Sequence, residues 1–343
     1  SLIVIFFLFN DLISKKKLNV KKIKILLVFF FSNILFIYIL WPYLWESPFT
    51  NFLDAVASFS KYGWGGSILY LGDFHSARYL PWHYLFVWIL ATLSPYLIFI
   101  IILSYLYNLS KYSKNLLDLT SSNLEINVWK NNDDKKQFFI FIISIIPIFL
   151  YFILDPIVYN GWRHFYFLLP CFILISVDFY KYFINKIKRV IFKKILYIAI
   201  LSIPILNLYN LVKLHPFQYI YFNKLFETRA NDLFEIDFWG VANTYTLKKV
   251  LNSTQNDYEV FKIATGSFTD LSLSKNMLSD DFKNKLELVG QDYTRAEFIF
   301  SNNNFVSNPK YTKKFFYPLH FKEFYLLKRG KITINKIYKN NRN

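Results

Sequence analysis

DPIVYNGWRHFYFLLP (155–170) is a short polar turn set between two long apolar runs. Asp155-Pro156 and Asn160-Gly161 are turn dipeptides, proline by its fixed backbone angle and Asn-Gly by its tolerance of the left-handed region. Arg163 and His164 then stand at the head of a segment that becomes almost wholly apolar. A charge at the mouth of a membrane helix is costly unless it faces water, protein or a ligand, which makes Arg163 a functional candidate. The rest of the chain is placed by asking which side of a membrane this turn occupies.

The apolar share, 54%, is high for a soluble domain, and the apolar residues come in runs too long for core strands. The runs predict spans over 25–40, 85–107, 138–154, 165–177 and 195–211. Leu2–Phe9 reads as the end of an earlier span, so the chain is expected to be a fragment that starts late in a membrane helix. Several runs fall short of the roughly 20 residues of a full crossing. Flanking Tyr, Trp and snorkelling Lys supply the difference. Pro147, Pro170 and Pro204 lie in or beside spans, where neighbouring helices tolerate them.

The net charge of +17 follows the same pattern. Lysines concentrate in loops 11–24 and 179–194, four spans apart and therefore on one side. The positive-inside bias makes that side cytoplasmic. Loop 42–84, turn 155–163 and the region from 212 onward then share the opposite, extracytoplasmic side. Nucleic acid is excluded as a partner, because the basic residues form no stripe interleaved with exposed aromatics. Cys171 stands alone, so there is no internal disulfide.

Within loop 42–84, Ser47-Pro48 reads as N-cap and first helical residue. Phe49, Phe52, Leu53, Val56 and Phe59 then fall on one helical face. Such a helix lies flat in the membrane interface or packs on the protein's own loops. The tail predicts a small α/β domain. Asn243 caps a helix through Leu251, 258–264 and 297–301 are strands, and 321–328 with 331–338 form a closing hairpin about Arg329-Gly330. The fold class is therefore a mainly α polytopic membrane protein, with a helix bundle over 1–211 and an extracytoplasmic α/β domain over 212–343.

WPYLWESP (41–48), LGDFHSARYLPWHYLFVWILATLSP (71–95), YNGWRHFYFLLP (159–170), HPFQYIYFN (215–223) and FEIDFWG (234–240) together resemble, in order and spacing, the C-terminal part of bacterial GT-C glycosyltransferases. The branch is the one related to protein O-mannosyltransferases. The resemblance implies a polytopic enzyme of the bacterial cytoplasmic (inner) membrane. It would move a hexosyl or pentosyl group from a polyprenyl-phosphate donor to a glycan, lipid or protein acceptor on the extracytoplasmic face, usually with inversion. It also implies a catalytic Asp in a first extracytoplasmic loop upstream of this sequence, so no catalytic residue is assigned here.

Such a transfer needs a base for the acceptor hydroxyl and cations for the departing lipid phosphate. Arg163 is the first choice for the phosphate, since guanidinium binds it bidentately; its competing role is snorkelling to headgroups. His164 is a second donor or a structural bond to the turn. Arg78, His75 and Lys61 are expected to complete a cationic cradle from the other loop, against a pairing of Arg78 with Asp73 and a solvated place for Lys61. His75 and His83 match no metal-ligand spacing; no metal site or cofactor is assigned, and a divalent ion is compatible with the chemistry. Trp82 and Trp162 are candidates to stack on a sugar, or members of an aromatic belt. Glu46 and Asp73 are read as structural, Asp237 and Trp239 as domain anchors. The rival classes are a transporter or flippase for a lipid-linked glycan and a membrane-anchored interaction protein. Against transport, the spans carry almost no charge at mid-depth.

Overall fold

The computed structural model describes residues 20–60, 63–117, 129–254, 260–302 and 318–341. The expected span at Leu2–Phe9, the lysines before Val20, Lys61, Tyr258 and the Phe59 side chain lie outside what is described. The chain divides into two compact units, 1–64 and 65–343.

In the first unit, α1 (Val20–Leu40) contains an 18-residue window apolar enough to cross a membrane, none of it buried by protein. The turn after it is fixed by side chains. The Trp45 indole N–H donates to the Tyr38 carbonyl at 2.9 Å, and the Asn51 amide to that of Tyr43 at 2.5 Å. Helix α2 (Pro48–Ser60) begins at the expected proline. Phe49, Phe52, Leu53 and Val56 are all exposed on it.

The second unit opens with a hairpin, β1 (Ser67–Tyr70) and β2 (Asp73–Ser76), turned at Leu71-Gly72. Five helices follow: α3 (Tyr84–Thr92), α4 (Pro95–Leu117), α5 (Asn132–Leu154), α6 (Leu168–Lys186) and α7 (Val190–Leu214). Helices α5, α6 and α7 are long and apolar enough to span a membrane. Tyr112, Phe141 and Ile175 form the buried contact of α4, α5 and α6. The Tyr105 hydroxyl donates to Ser144 Oγ at 2.6 Å across α4 and α5.

Two expectations are corrected here. The run 85–107 is not one span: it breaks at Leu93-Ser94, because Pro95 has no N–H to give and pushes Ser94 out of helical geometry. The lysine-rich stretch 179–194 is not a loop. Helix α6 runs to Lys186 and α7 starts at Val190, so only 187–189 connect them. Lysine is a good helix former whose stem covers apolar surface.

Beyond α7 the chain doubles back on α3. Phe217 and Ile220 are fully buried, and Asn223 is pinned to the end of α3. After α8 (Ala230–Leu233) and α9 (Asn243–Thr254) comes a five-stranded sheet in the order β4-β3-β5-β7-β6. Its strands are β3 (Phe261–Thr265), β4 (Leu286–Leu288), β5 (Phe298–Ser301), β6 (Phe321–Arg329) and β7 (Ile332–Asn340), with α10 (Leu271–Asn276) and α11 (Asp280–Lys285) between β3 and β4. Strands β4, β3 and β5 are parallel; β7 and β6 close the sheet antiparallel as the predicted hairpin. Leu247, Val250 and Leu251 of α9 pack on Phe261, Ile263, Phe298 and Phe300.

Candidate functional site

The turn that organises the sequence also builds the site. Helix α5 ends at Asp155 with φ 40°, and Pro156 cannot continue it. Asn160 and Gly161 both have positive φ, 54° and 73°. Gly161 packs against the Trp88 ring, where an added Cβ would make only an ordinary contact at 3.5 Å, so it is the positive φ that favours glycine there. The reversal places Arg163 at the start of a short 3-10 turn, Arg163–Phe165, that leads into α6.

Arg163 opens into a cavity of about 330 Å³. One wall is Trp88 and Thr92 of α3 with Gly161 and Trp162 of the turn. The other is the segment after α7, which contributes Tyr219, Tyr221, Glu235, Asp237 and Trp239. The guanidinium carbon lies 4.4 Å from the Tyr159 ring centre and 5.0 Å from that of Trp239. Both distances are within cation–π range. Arg163 Nε is buried without a hydrogen-bond partner, and among the described residues no carboxylate forms an ion pair with this arginine.

The two acids in the wall are held by other groups. Glu235 is almost fully buried, and its Oε1 accepts the Leu69 N–H at 3.2 Å. Burial pushes its pKa up to about 8, so at neutral pH it is mostly protonated and does not balance Arg163. Asp237 accepts the N–H groups of Val241 and Ala242 at 2.9 and 3.1 Å, and its carboxyl also hydrogen-bonds to Tyr219. Burial raises the Asp237 pKa, while those donors act against the rise. The cavity thus presents a fixed cation among aromatic rings, one neutral acid and one tied acid. That arrangement suits an anionic ligand carrying a ring with an apolar face.

The other wall differs from the expectation. The cleft is closed by the segment 219–241 and not by loop 71–83. Arg78 is exposed, donates its backbone N–H to Ser76 Oγ and makes no ion pair with Asp73 among the described residues. His75 is on β2 beside the Tyr70 ring, and His164 is exposed against Tyr159; neither lines the cavity. Although His164 reaches solvent, partial desolvation of its ring and, second, the neighbouring Arg163 lower its pKa, so the ring does not add a positive charge beside the guanidinium. Trp82 is exposed at the α3 entrance against Phe152, away from the cavity lining. Of the expected set, Arg163 and Trp162 reach the cavity. The Trp162 indole is buried and donates to Thr92 Oγ1 at 2.8 Å.

The β1–β2 loop contributes through its backbone instead. Tyr70 bridges to Phe234, and the Gly72 N–H donates to the Leu233 carbonyl at 3.3 Å. With the Leu69–Glu235 bond, this backs the wall that carries both acids. Glu235 is not among the residues the sequence singles out, and Trp239 and Asp237 stand there only as anchors. The available signal was the alternation Phe234-Glu235-Ile236-Asp237-Phe238, which sets two acids on one face of an extended, otherwise apolar segment. Among the described residues there is no group of three or more metal-ligating side chains. Compared with known proteins, the chain matches no family model, no curated protein and no solved structure.

Proposed function

We propose that the protein is a membrane glycosyltransferase that moves a sugar from a polyprenyl-phosphate donor to an acceptor on the extracytoplasmic face. The observation that carries this reading is Arg163, an arginine with no ion pair among the described residues, held between two aromatic rings at the wall of a cavity beside apolar helices. A lipid phosphate is the anion that a cation in this place meets. As the glycosidic bond to the phosphate breaks, charge grows on the departing oxygen, and a preorganised guanidinium lowers the cost of that charge. Tyr219 and Trp239, both exposed, offer rings for the apolar face of a sugar.

The cavity supplies binding and charge stabilisation, and it has no ready base. Glu235 keeps its proton at neutral pH, and the Asp237 carboxyl is occupied by two backbone N–H groups and Tyr219. Deprotonation of the acceptor falls to a carboxylate outside this cavity, in keeping with the resemblance.

The test is transfer of radiolabelled sugar from polyprenyl-phosphate donors by the full-length protein in proteoliposomes. Transfer that is lost in Arg163→Ala supports the reading. Donor binding with no transfer to any acceptor would move the assignment to a carrier of lipid-linked glycans.

A further inference from the structure

A second cavity, of about 560 Å³, lies among the ends of α4, α5 and α6, in a different part of the fold from Arg163. Lys111 of α4 lines it. Its ammonium pairs closely with Asp134 of α5 and lies 3.9 Å from Asp178 of α6. Asp134 is fixed in turn: its backbone N–H is capped by Asn131, and its Oδ2 accepts the Lys130 N–H at 2.8 Å. Lys136 pairs with Asp133 at the surface. These pairs engage the three aspartates, and the Lys181 charge also acts on Asp178 and Asp133 without closing an ion pair.

Two cations at the cavity remain outside any ion pair among the described residues, Lys130 and Lys181. The Gln137 side chain also lines it, and its Oε1 is buried with no hydrogen-bond partner. The site therefore asks for an anion at the two lysines and for a donor facing Gln137. It sits where two candidate membrane spans, α5 and α6, reach their lysine-bearing ends. Basic pockets between membrane helices at that level are filled by lipid headgroups.

We propose that this cleft binds the headgroup of an anionic phospholipid that carries a free hydroxyl, as phosphatidylglycerol does. The phosphate lies between Lys130 and Lys181, and a headgroup hydroxyl donates to Gln137 Oε1. The inference stands apart from the glycosyltransferase reading, because it uses none of the residues of the first cavity.

The experiment measures the unfolding temperature of the full-length protein in neutral detergent against added lipid. Phosphatidylglycerol raises it saturably, phosphatidylcholine does not, and free glycerol phosphate at the same concentration does not. Lys130→Gln with Lys181→Gln raises the concentration for half-maximal effect roughly thirtyfold, each lysine near an anionic headgroup being worth about a fivefold factor. Lys193→Gln with Lys194→Gln removes the same charge from the first two turns of α7, outside the cavity lining, and leaves the effect intact. Phosphatidylmethanol, which has the same single phosphodiester charge and no headgroup hydroxyl, acts more weakly, and Gln137→Leu abolishes that difference. An equal response to phosphatidylcholine, or to free glycerol phosphate, overturns the proposal. So does an equal loss in the two lysine pairs.

Discussion

The guanidinium of Arg163 lies over the ring of Trp239, 5.0 Å from its centre, although 76 positions of chain separate them. The contact joins the turn before α6 to the segment after α7, and so ties the two walls of the cavity at a cation that forms no ion pair among the described residues. A cation–π contact of this kind is worth about 0.5–2 kcal/mol. Its larger effect is to limit where the guanidinium points.

The first prediction follows from that restraint. Arg163→Lys keeps the charge and loses the planar fork that grips phosphate with two bonds. A charge-assisted hydrogen bond contributes about 1.5–3 kcal/mol, so sugar transfer should fall by about ten- to a hundredfold. Trp239→Leu should cost about tenfold or less, since the arginine remains and only its orientation is freed. Turnover by both variants at matched expression is the check. Wild-type rates for Arg163→Lys and Arg163→Ala would leave Arg163 as a headgroup anchor.

Glu235 makes stability depend on pH. Its folded-state pKa, about 8, stands above the ordinary 4.5, so the folded protein holds a proton that the unfolded chain releases. Its contribution is complete below about 4.5, falls as pH rises through the window between the two values, and is gone above about 8. Glu235→Gln keeps an acceptor for the Leu69 N–H and has no proton to lose. The unfolding temperature of the variant relative to wild type should therefore rise from about pH 5 to about pH 9. A constant difference across that range would mean that Glu235 titrates normally.

Asn223 carries the break between α3 and α4. Its side-chain amide donates to the carbonyls of Leu90 and Leu93 at 2.6 and 2.8 Å, and its backbone N–H to that of Ala91 at 2.9 Å. These are carbonyls that a helix end leaves without partners. Asn223→Ala removes both side-chain donors and leaves two buried acceptors unpaired, at a cost of about 1–3 kcal/mol each. A clear fall in unfolding temperature is expected in detergent, with Asn223→Asp no better because it also lacks the donors. A variant as stable as wild type would mean that water satisfies the carbonyls.

Which of these features could be read in advance depends on how local their causes are. The turn at Asn160-Gly161, the start of α2 at Pro48 and the hairpin about Gly330 follow from turn chemistry within a few residues. The Ser94-Pro95 break was equally local, yet the apolar run on both sides hid it, and the partner that makes it tolerable, Asn223, lies far along the chain. The β1–β2 hairpin was invisible for a different reason: its strands have four residues each, and Leu71 takes a positive φ that leucine rarely adopts. The site itself was half legible. Arg163 and Trp162 stood out as polar and aromatic residues beside a turn, whereas the pairing of Arg163 with Trp239 depends on how the tail folds back across α3, which no local pattern encodes.

The topology gives the last prediction. Lys186 ends α6, Lys188 and Arg189 lie in the connection to α7, and Lys193 and Lys194 follow near the start of α7. Helix α7 is 25 residues long, apolar, and unburied over its whole apolar window. At about 1.5 Å of rise per residue it exceeds the roughly 30 Å of a bilayer core. Lysines at its start and the sheet beyond its end should then lie on opposite sides of the membrane, with the lysines cytoplasmic. A reporter fused after Lys188 should read cytoplasmic, and one fused after Asn341, behind the complete sheet, extracytoplasmic. If both read the same side, α7 does not cross, and the Arg163 cavity, which the segment after α7 closes, no longer has to face away from the lysines. A donor phosphate would then have to reach Arg163 from the lysine-bearing side, and the proposed extracytoplasmic transfer would fail with the topology.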